Sequence, residues 1–136
     1  MRAVFPGSFD PATQGHLDVA RRAAGLFDEV VLCVLTNPDK AGRLPLAERL
    51  ALLTRMTGDL ANVVVDSSPG RLLVDYCRAA GIDVIVRGVR TPADLAHELP
   101  MARMNRHLGG IETLFVPTSP GQAHISSTLV AATARR

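Results

Sequence analysis

The chain of 136 residues is poor in aromatic residues: it has no tryptophan, one tyrosine and four phenylalanines. This shortage argues against a surface on which nucleic-acid bases stack. A charge excess of one sign is also missing, because 15 lysines and arginines against 13 aspartates and glutamates leave a net charge of +2. That balance excludes a general nucleic-acid binder, so any site for anions must be local.

Cysteines and long apolar runs are scarce as well. Cys33 and Cys77 are far apart and fit no metal or redox motif, so we expect buried, reduced thiols. No apolar run approaches the roughly 18 residues of a membrane span, and no secretory signal peptide is visible. We therefore expect a cytoplasmic protein with no membrane partner. Hydrophobic residues at 47% and charged residues at 21% are typical of a globular protein, and the length predicts a single domain over residues 1–136.

What the sequence does contain is a regular alternation of short apolar runs and amphipathic stretches. The apolar runs predict strands over residues 2–5, 30–35, 62–66, 83–86 and 113–116. Helices are predicted over residues 15–27, from residue 45, over 71–80, over 92–108 with an interruption or bend at Pro100, and near 128–134. This order predicts an α/β fold: a doubly wound, Rossmann-like five-stranded parallel sheet with helices on both faces.

Polar residues collect after the predicted strands, where ligands bind in open parallel sheets. They are Gly7, Ser8, Asp10 and His16 after the first strand, Lys40 after the second, Arg87, Gly88 and Arg90 after the fourth, and His124, Ser126, Ser127 and Thr128 before the last helix. Each alone is explained by a turn, a cap or a solvated side chain. Arg87 is the exception, since a charge at the end of a buried strand needs a partner or a ligand. Together the cations and two helix N-termini suit several phosphates.

The first loop is distinctive in what it carries. It has neither a Gly-x-Gly-x-x-Gly fingerprint nor a Walker lysine, and it places Thr13-Gln14-Gly15-His16 at the start of a helix. Glycine lets a phosphate approach the backbone, and the helix N-terminus supplies free N–H groups and partial positive charge. A histidine there can donate a hydrogen bond to a phosphate oxygen.

These residues resemble the nucleotidyltransferases with a Thr/His-x-Gly-His motif, and most closely the bacterial phosphopantetheine adenylyltransferase family. The resemblance covers nearly the whole chain, through the stretches PGSFDPATQGHLD, NPDK, VIVRGVRTPADLAHE, MARMNRHL and ISSTLV. It implies transfer of the adenylyl group of ATP to 4′-phosphopantetheine, with dephospho-coenzyme A and pyrophosphate as products. It also implies Mg²⁺ held through the ATP phosphates, assembly into a homo-hexamer and coenzyme A as a feedback ligand.

The resemblance assigns roles to matching positions. His16, Lys40 and Arg90 are the implied catalytic residues: His16 would bind the α-phosphate in the transition state, and Lys40 would bridge the reacting phosphates. The implied phosphopantetheine site contains Ser8, Lys40, Leu73 and Arg87. The implied ATP site contains Ser8, Phe9, His16, Gly88, Val89, Arg90, Glu98, Gln122, Ala123, His124, Ile125, Ser126, Ser127 and Thr128.

The implied chemistry needs no general base, because the attacking phosphate oxygen is already ionised at neutral pH. The difficulty is electrostatic, and catalysis would come from positioning and preorganised positive charge. The chain departs from the family at Leu95-Ala96-His97, where aromatic residues are usual, and at Gln122, where an aromatic often stands. We expect adenine packing to differ accordingly.

Two alternatives remain open at this point. A cytidylyltransferase that forms CDP-alcohols shares the first motif and the closing Ile-Ser-Ser loop, but it does not explain the RGVR and MNRHL stretches. A non-catalytic paralogue that binds nucleotide or coenzyme A fits the altered stretch around Ala96, but the intact Ser8, His16, Lys40, Arg87 and Arg90 argue against it.

Overall fold

The computed structural model describes residues 1–37 and 42–118. In this part of the chain strands and helices alternate as expected. They are β1 (Arg2–Gly7), α1 (Gln14–Ala24), β2 (Glu29–Thr36), α2 (Leu46–Met56), β3 (Val63–Pro69), α3 (Leu73–Ala80), β4 (Val84–Val89), α4 (Pro92–Gly109) and β5 (Glu112–Pro117). The helix predicted near residues 128–134 lies outside the described residues.

The strands form one parallel sheet in the order β3-β2-β1-β4-β5. The chain moves outward from β1 to β3 and then returns to the opposite side of β1. At such a switch point the connections diverge and leave a crevice beyond the carboxyl ends of the two central strands. The predicted doubly wound parallel sheet is confirmed, and its crevice opens between β1 and β4.

Side chains alternate between the two faces of the sheet and build two cores. On one face Phe5 and Leu32 pack with α1 and α2, which contribute Val19, Ala20, Ala23 and Leu53. On the other face Val4 and Ile85 pack with Val74, Tyr76 and Cys77 of α3. Burial on both faces explains why the central strands are almost purely apolar in sequence.

The two cysteines are buried and free, as expected from their spacing. Desolvation by burial raises the pKa of Cys33 to about 12 and that of Cys77 to about 11. Both thiols therefore remain protonated at neutral pH and act as small apolar side chains of the core.

Helix α4 runs from Pro92 to Gly109 with Pro100 inside it, so the first of the two predicted outcomes, an interruption of the helix, is wrong. Thr91 caps its start by accepting a hydrogen bond from the Asp94 N–H at 3.1 Å, and Gly110 ends it with a φ of 67°. Proline removes one backbone donor from a helix interior. At the exposed Pro100 that loss does not end the helix. Over the described residues no helix is long and apolar enough to cross a membrane.

Candidate active site

The turn after β1 is held in an unusual conformation. Phe9 has a φ of 47°, a left-handed value that non-glycine residues rarely adopt, and its side chain is only 1% exposed. Its ring packs edge-on against Phe5, with centroids 5.3 Å apart, and against His16 at 4.9 Å. The turn thus buries an aromatic ring behind the imidazole of His16 and leaves Ser8 exposed.

His16 closes the first turn of α1 through a reciprocal cap with Thr13. The Thr13 hydroxyl accepts a hydrogen bond from the His16 N–H at 3.3 Å, and Nδ1 of His16 accepts one from the Thr13 N–H at 2.9 Å. Because a backbone N–H can only donate, Nδ1 carries no proton and the ring proton lies on Nε2. Desolvation, followed by the charges of Arg87 and Arg90, holds the pKa of His16 below its usual value. The imidazole is therefore a neutral donor.

Arg87, near the carboxyl end of β4, forms an ion pair with Glu98 of α4. Its Nε donates to Glu98 Oε2 at 3.0 Å and its Nη2 to Oε1 at 2.7 Å, while Nη1 donates to the carbonyl of Pro6 at 2.5 Å. The Arg87 side chain is 28% exposed and that of Glu98 13%. A two-point ion pair thus joins β4, α4 and the end of β1.

Arg90 lies two residues before the first residue of α4, and its side chain is largely in solvent. The carboxylate of Asp94 accepts a hydrogen bond from the Arg90 N–H at 3.1 Å and lies 3.7 Å from the Arg90 Nε. That backbone hydrogen bond, the charge of Arg90 and the bonds from Thr91 together hold the pKa of Asp94 below its usual value. Arg90 therefore keeps most of its guanidinium available to a ligand.

A cavity of about 440 Å³ opens where these elements meet. Its walls include six residues assigned from the sequence: Ser8, His16, Arg87, Gly88, Arg90 and Glu98. A Cβ at Gly88 would lie 2.9 Å from the Val19 side chain of α1, so glycine is needed where β4 passes this helix. Phe9 is buried in the core behind the wall, and Val89 uses its carbonyl to accept a hydrogen bond from the Thr118 N–H at 2.8 Å.

A second cavity, of about 220 Å³, shares the Arg87–Glu98 pair and Ser8 with the first. Leu73 lines this second cavity together with Arg87. The other lining residues are more apolar, and they include Leu35, Ile85, Met101 and Ala102 together with Asn105 and Thr113. Thr113 Oγ1 is buried there with no hydrogen-bond partner in the described part of the chain. The larger cavity thus carries the polar groups of His16, Arg87 and Arg90, and the smaller one is mainly apolar.

Some predicted site residues lie outside the described residues: Lys40 and the segment 122–128 with His124, Ser126, Ser127 and Thr128. Conversely, the structure adds Thr13, Asp94, His97 and Thr118 to the wall of the larger cavity. The N-cap position of Thr13, three residues before His16, is a readable signal. His97 has none, since it is an isolated polar residue in a helical stretch.

Among residues 1–37 and 42–118 no group of three or more histidines, cysteines, aspartates and glutamates is arranged so that it could hold a metal ion. Both carboxylates of the larger cavity are already engaged by arginines. The donor set of the cavity suits phosphate oxygens, and a divalent cation there would be held by those oxygens and water.

The sequence is similar to proteins of one family over most of its length. Residues 4–133 match the model of the cytidylyltransferase-like family. The phosphopantetheine adenylyltransferase of Leifsonia xyli subsp. xyli is 53% identical over 131 residues, which span 94% of this chain and 82% of that protein. The enzyme of the same name from Corynebacterium diphtheriae is 54% identical over 129 residues, 94% of this chain and 80% of that protein.

Solved structures with lower identity show the fold. A lipopolysaccharide core biosynthesis protein from Thermoplasma volcanium superposes with a TM-score of 0.60 at 23% identity, over 88% of this chain and 96% of that one. A bifunctional NMN adenylyltransferase/ADP ribose pyrophosphatase from Francisella tularensis gives 0.64 at 14% identity, over 89% of this chain and 39% of that one.

Proposed function

The chain belongs to the phosphopantetheine adenylyltransferase family of cytidylyltransferase-like proteins, and we infer that it transfers the adenylyl group of ATP to 4′-phosphopantetheine. The products are dephospho-coenzyme A and pyrophosphate, so the reaction belongs to coenzyme A biosynthesis. The observation that carries the assignment of its sites is the wall formed by Ser8, Arg87 and Glu98. It borders a polar cavity lined by His16 and two arginines on one side and a mainly apolar cavity on the other.

We assign ATP to the larger cavity and phosphopantetheine to the smaller one. The apolar lining around Leu73 and Met101 suits the pantetheine arm, and the shared wall brings its phosphate toward Ser8 and the α-phosphate of ATP. A phosphate oxygen attacks the α-phosphorus, the bond from that phosphorus to the bridging oxygen breaks, and pyrophosphate leaves with the electron pair. No proton moves in this step, so no general base is required.

His16 stabilises the charge that develops on the α-phosphate. Its Nε2–H is the donor left free by the cap on Nδ1, and it lies at the positive N-terminus of α1. A neutral imidazole on a fixed helix start donates one hydrogen bond without having to reorganise as the transition state forms. This is the preorganised electrostatic stabilisation that dominates many group transfers.

The remaining cations offset the repulsion between two polyanions. Arg90 lines the larger cavity with an exposed side chain, which supports a proposed contact with the ATP phosphates. Lys40 is proposed for the reacting phosphates from its match to the family motif. Mg²⁺, when bound, would neutralise phosphate charge. Because the described residues offer no group of side chains that could hold a metal ion, the phosphates of ATP would hold it.

We propose further that the chain works as a homo-oligomer in the cytoplasm. Helix α4 buries no residue and exposes Met104 and Leu108, which a second copy would cover. Free thiols fit a reducing compartment.

Coenzyme A contains both halves of the product and would span both cavities as a feedback ligand. Light scattering of the eluting protein, with and without coenzyme A, measures the assembly.

The decisive experiment for the activity is release of pyrophosphate in the presence of Mg²⁺. We expect it with ATP and phosphopantetheine, and not with CTP and glycerol phosphate. Turnover with the second pair would indicate a CDP-alcohol-forming enzyme. Binding of ATP by calorimetry without release of pyrophosphate would indicate a nucleotide-binding paralogue and overturn the proposal.

A further inference from the structure

Arg49 is a buried arginine on α2 whose position the cavity walls do not explain. Its side chain belongs to the inner face of the helix, and the residue is only 7% exposed. Nη1 donates to the carbonyl of Ser8 at 3.1 Å, and Nε is buried without a hydrogen-bond partner among residues 1–37 and 42–118. Burial of a charge is costly unless other groups compensate it, so this placement requires a reason.

The carboxylate of Asp10 lies near enough to Arg49 to interact electrostatically with its charge. Oδ2 of Asp10 accepts a hydrogen bond from the Arg43 N–H at 2.6 Å, and Oδ1 accepts one from the Leu44 N–H at 2.8 Å. Desolvation opposes ionisation, but these two bonds and the charges of Arg49 and Arg43 outweigh it and lower the pKa of Asp10. Asp10 is thus a fixed anion beside Arg49.

These groups are packed closely enough to exclude a methyl group. A Cβ built at Gly42 would lie 2.8 Å from Asp10 Oδ2 and 3.2 Å from Arg49 Nη2. The start of α2 is therefore pressed against the turn after β1. Contacts from Arg49 and Asp10 hold the residues on both sides of Phe9, whose left-handed backbone needs such support.

We propose that Arg49 and Asp10 are positioning residues of the transfer reaction: they hold the turn of residues 8–10 and thereby place the Ser8 hydroxyl at the wall between the two cavities. Neither residue is assigned to substrate. The inference rests on the proposed function, because only in that reaction does the Ser8 hydroxyl lie beside both the phosphate of phosphopantetheine and the α-phosphate of ATP.

The test is kinetic coupling between Arg49 and Ser8. Arg49→Lys keeps the charge but loses the planar fork that reaches the Ser8 carbonyl. Arg55→Lys, at an exposed position in the last turn of the same helix, is the matched control. Each is made alone and with Ser8→Ala, and kcat, KM for both substrates, the calorimetric Kd for ATP and the unfolding midpoint are measured.

We expect Arg49→Lys to lower kcat/KM about tenfold, since displacement of a contacting group by a fraction of an ångström has effects of this order. In the Ser8→Ala background the same change should cost less than about twofold, and Arg55→Lys should have no effect in either. Asp10→Asn, which puts an N–H donor against a backbone N–H, should behave like Arg49→Lys.

A merely structural role predicts something else. Arg49→Lys would then lower the unfolding midpoint with unchanged kinetics, or lower activity by the same factor with and without the Ser8 hydroxyl; either result overturns the proposal. If Ser8→Ala turns over too slowly, the Kd for ATP supplies the same comparison. Absence of pyrophosphate release by the unmodified protein would instead refute the proposed function.

Discussion

At the scale of single residues, His16 illustrates how one side chain serves the fold and the site together. Nδ1 completes the capping box at Thr13, which leaves Nε2–H as the only ring donor for a ligand. The T-shaped packing of Phe9 fixes the ring plane. The tautomer and the orientation are thus set before any phosphate arrives.

We expect His16→Ala to lower kcat at least about a hundredfold, the scale seen when one preorganised donor is removed from a transition state. The protein should stay folded, because loss of one cap interaction costs only about 1 kcal/mol. Steady-state pyrophosphate release checks the prediction, with His107→Ala at the exposed end of α4 as control. A folded His16→Ala protein with unreduced turnover would remove the catalytic role.

The lowered pKa of His16 also predicts a pH dependence of stability. The unfolded chain takes up a proton near pH 6.5, whereas the folded protein does so only at lower pH. Stability from the neutral imidazole is therefore complete above pH 6.5 and is lost as pH falls through that value toward the folded pKa. Unfolding midpoints of the native protein should fall more between pH 8 and 5 than those of His16→Gln; parallel curves would contradict this.

At the scale of elements, α4 carries a proline where a helix former would serve better. Pro100 is exposed and lacks the N–H that a residue in a helix interior contributes. We expect Pro100→Ala to raise the free energy of unfolding by about 1–3 kcal/mol. Denaturant titration measures the change, with Arg103→Ala on the same helix as control. A lower free energy of unfolding would instead mean that packing contacts of the Pro100 ring outweigh the backbone hydrogen bond that it removes.

How far the sequence predicts these elements depends on what holds each one. Runs such as residues 30–35 are buried on both faces, so their apolar composition predicts a central strand directly. β3 extends beyond its prediction to Ser67, Ser68 and Pro69 because those residues pair with β2, and polar composition hides such pairing. The order of the strands is a tertiary outcome that no local pattern records.

In the candidate site, too, some features could be predicted from the sequence and others could not. The polar rim could be predicted because Ser8 and Arg87 each lie at or just beyond the carboxyl end of an apolar run. Its internal bonds could not: Arg87 pairs with Glu98 eleven positions away, and Arg49 reaches Ser8 across 41 positions. Such partners are chosen by the packing of helices on the sheet, which periodicity does not specify.

At the scale of the whole molecule, the Arg87–Glu98 pair joins three elements and borders both cavities. A two-point ion pair in this position holds β4 and α4 at a fixed separation and therefore sets the shape of both chambers. Arg90, by contrast, borders only the larger cavity, and Leu73 only the smaller one. Substitutions at Arg90, Leu73 and Glu98 therefore allow the larger cavity, the smaller cavity or both cavities to be perturbed.

Steady-state kinetics should separate the chambers. Arg90→Ala should raise KM for ATP about tenfold and leave that for phosphopantetheine nearly unchanged, because it removes a charged hydrogen-bond donor from one chamber only. Leu73→Ala should do the reverse, with a smaller effect, since it removes apolar contact. Glu98→Gln should raise both KM values, because an amide cannot accept both Arg87 donors and the shared wall loosens. If Glu98→Gln affected one substrate alone, Arg87 and Glu98 would belong to a single site, and the assignment of one substrate to each cavity would fail.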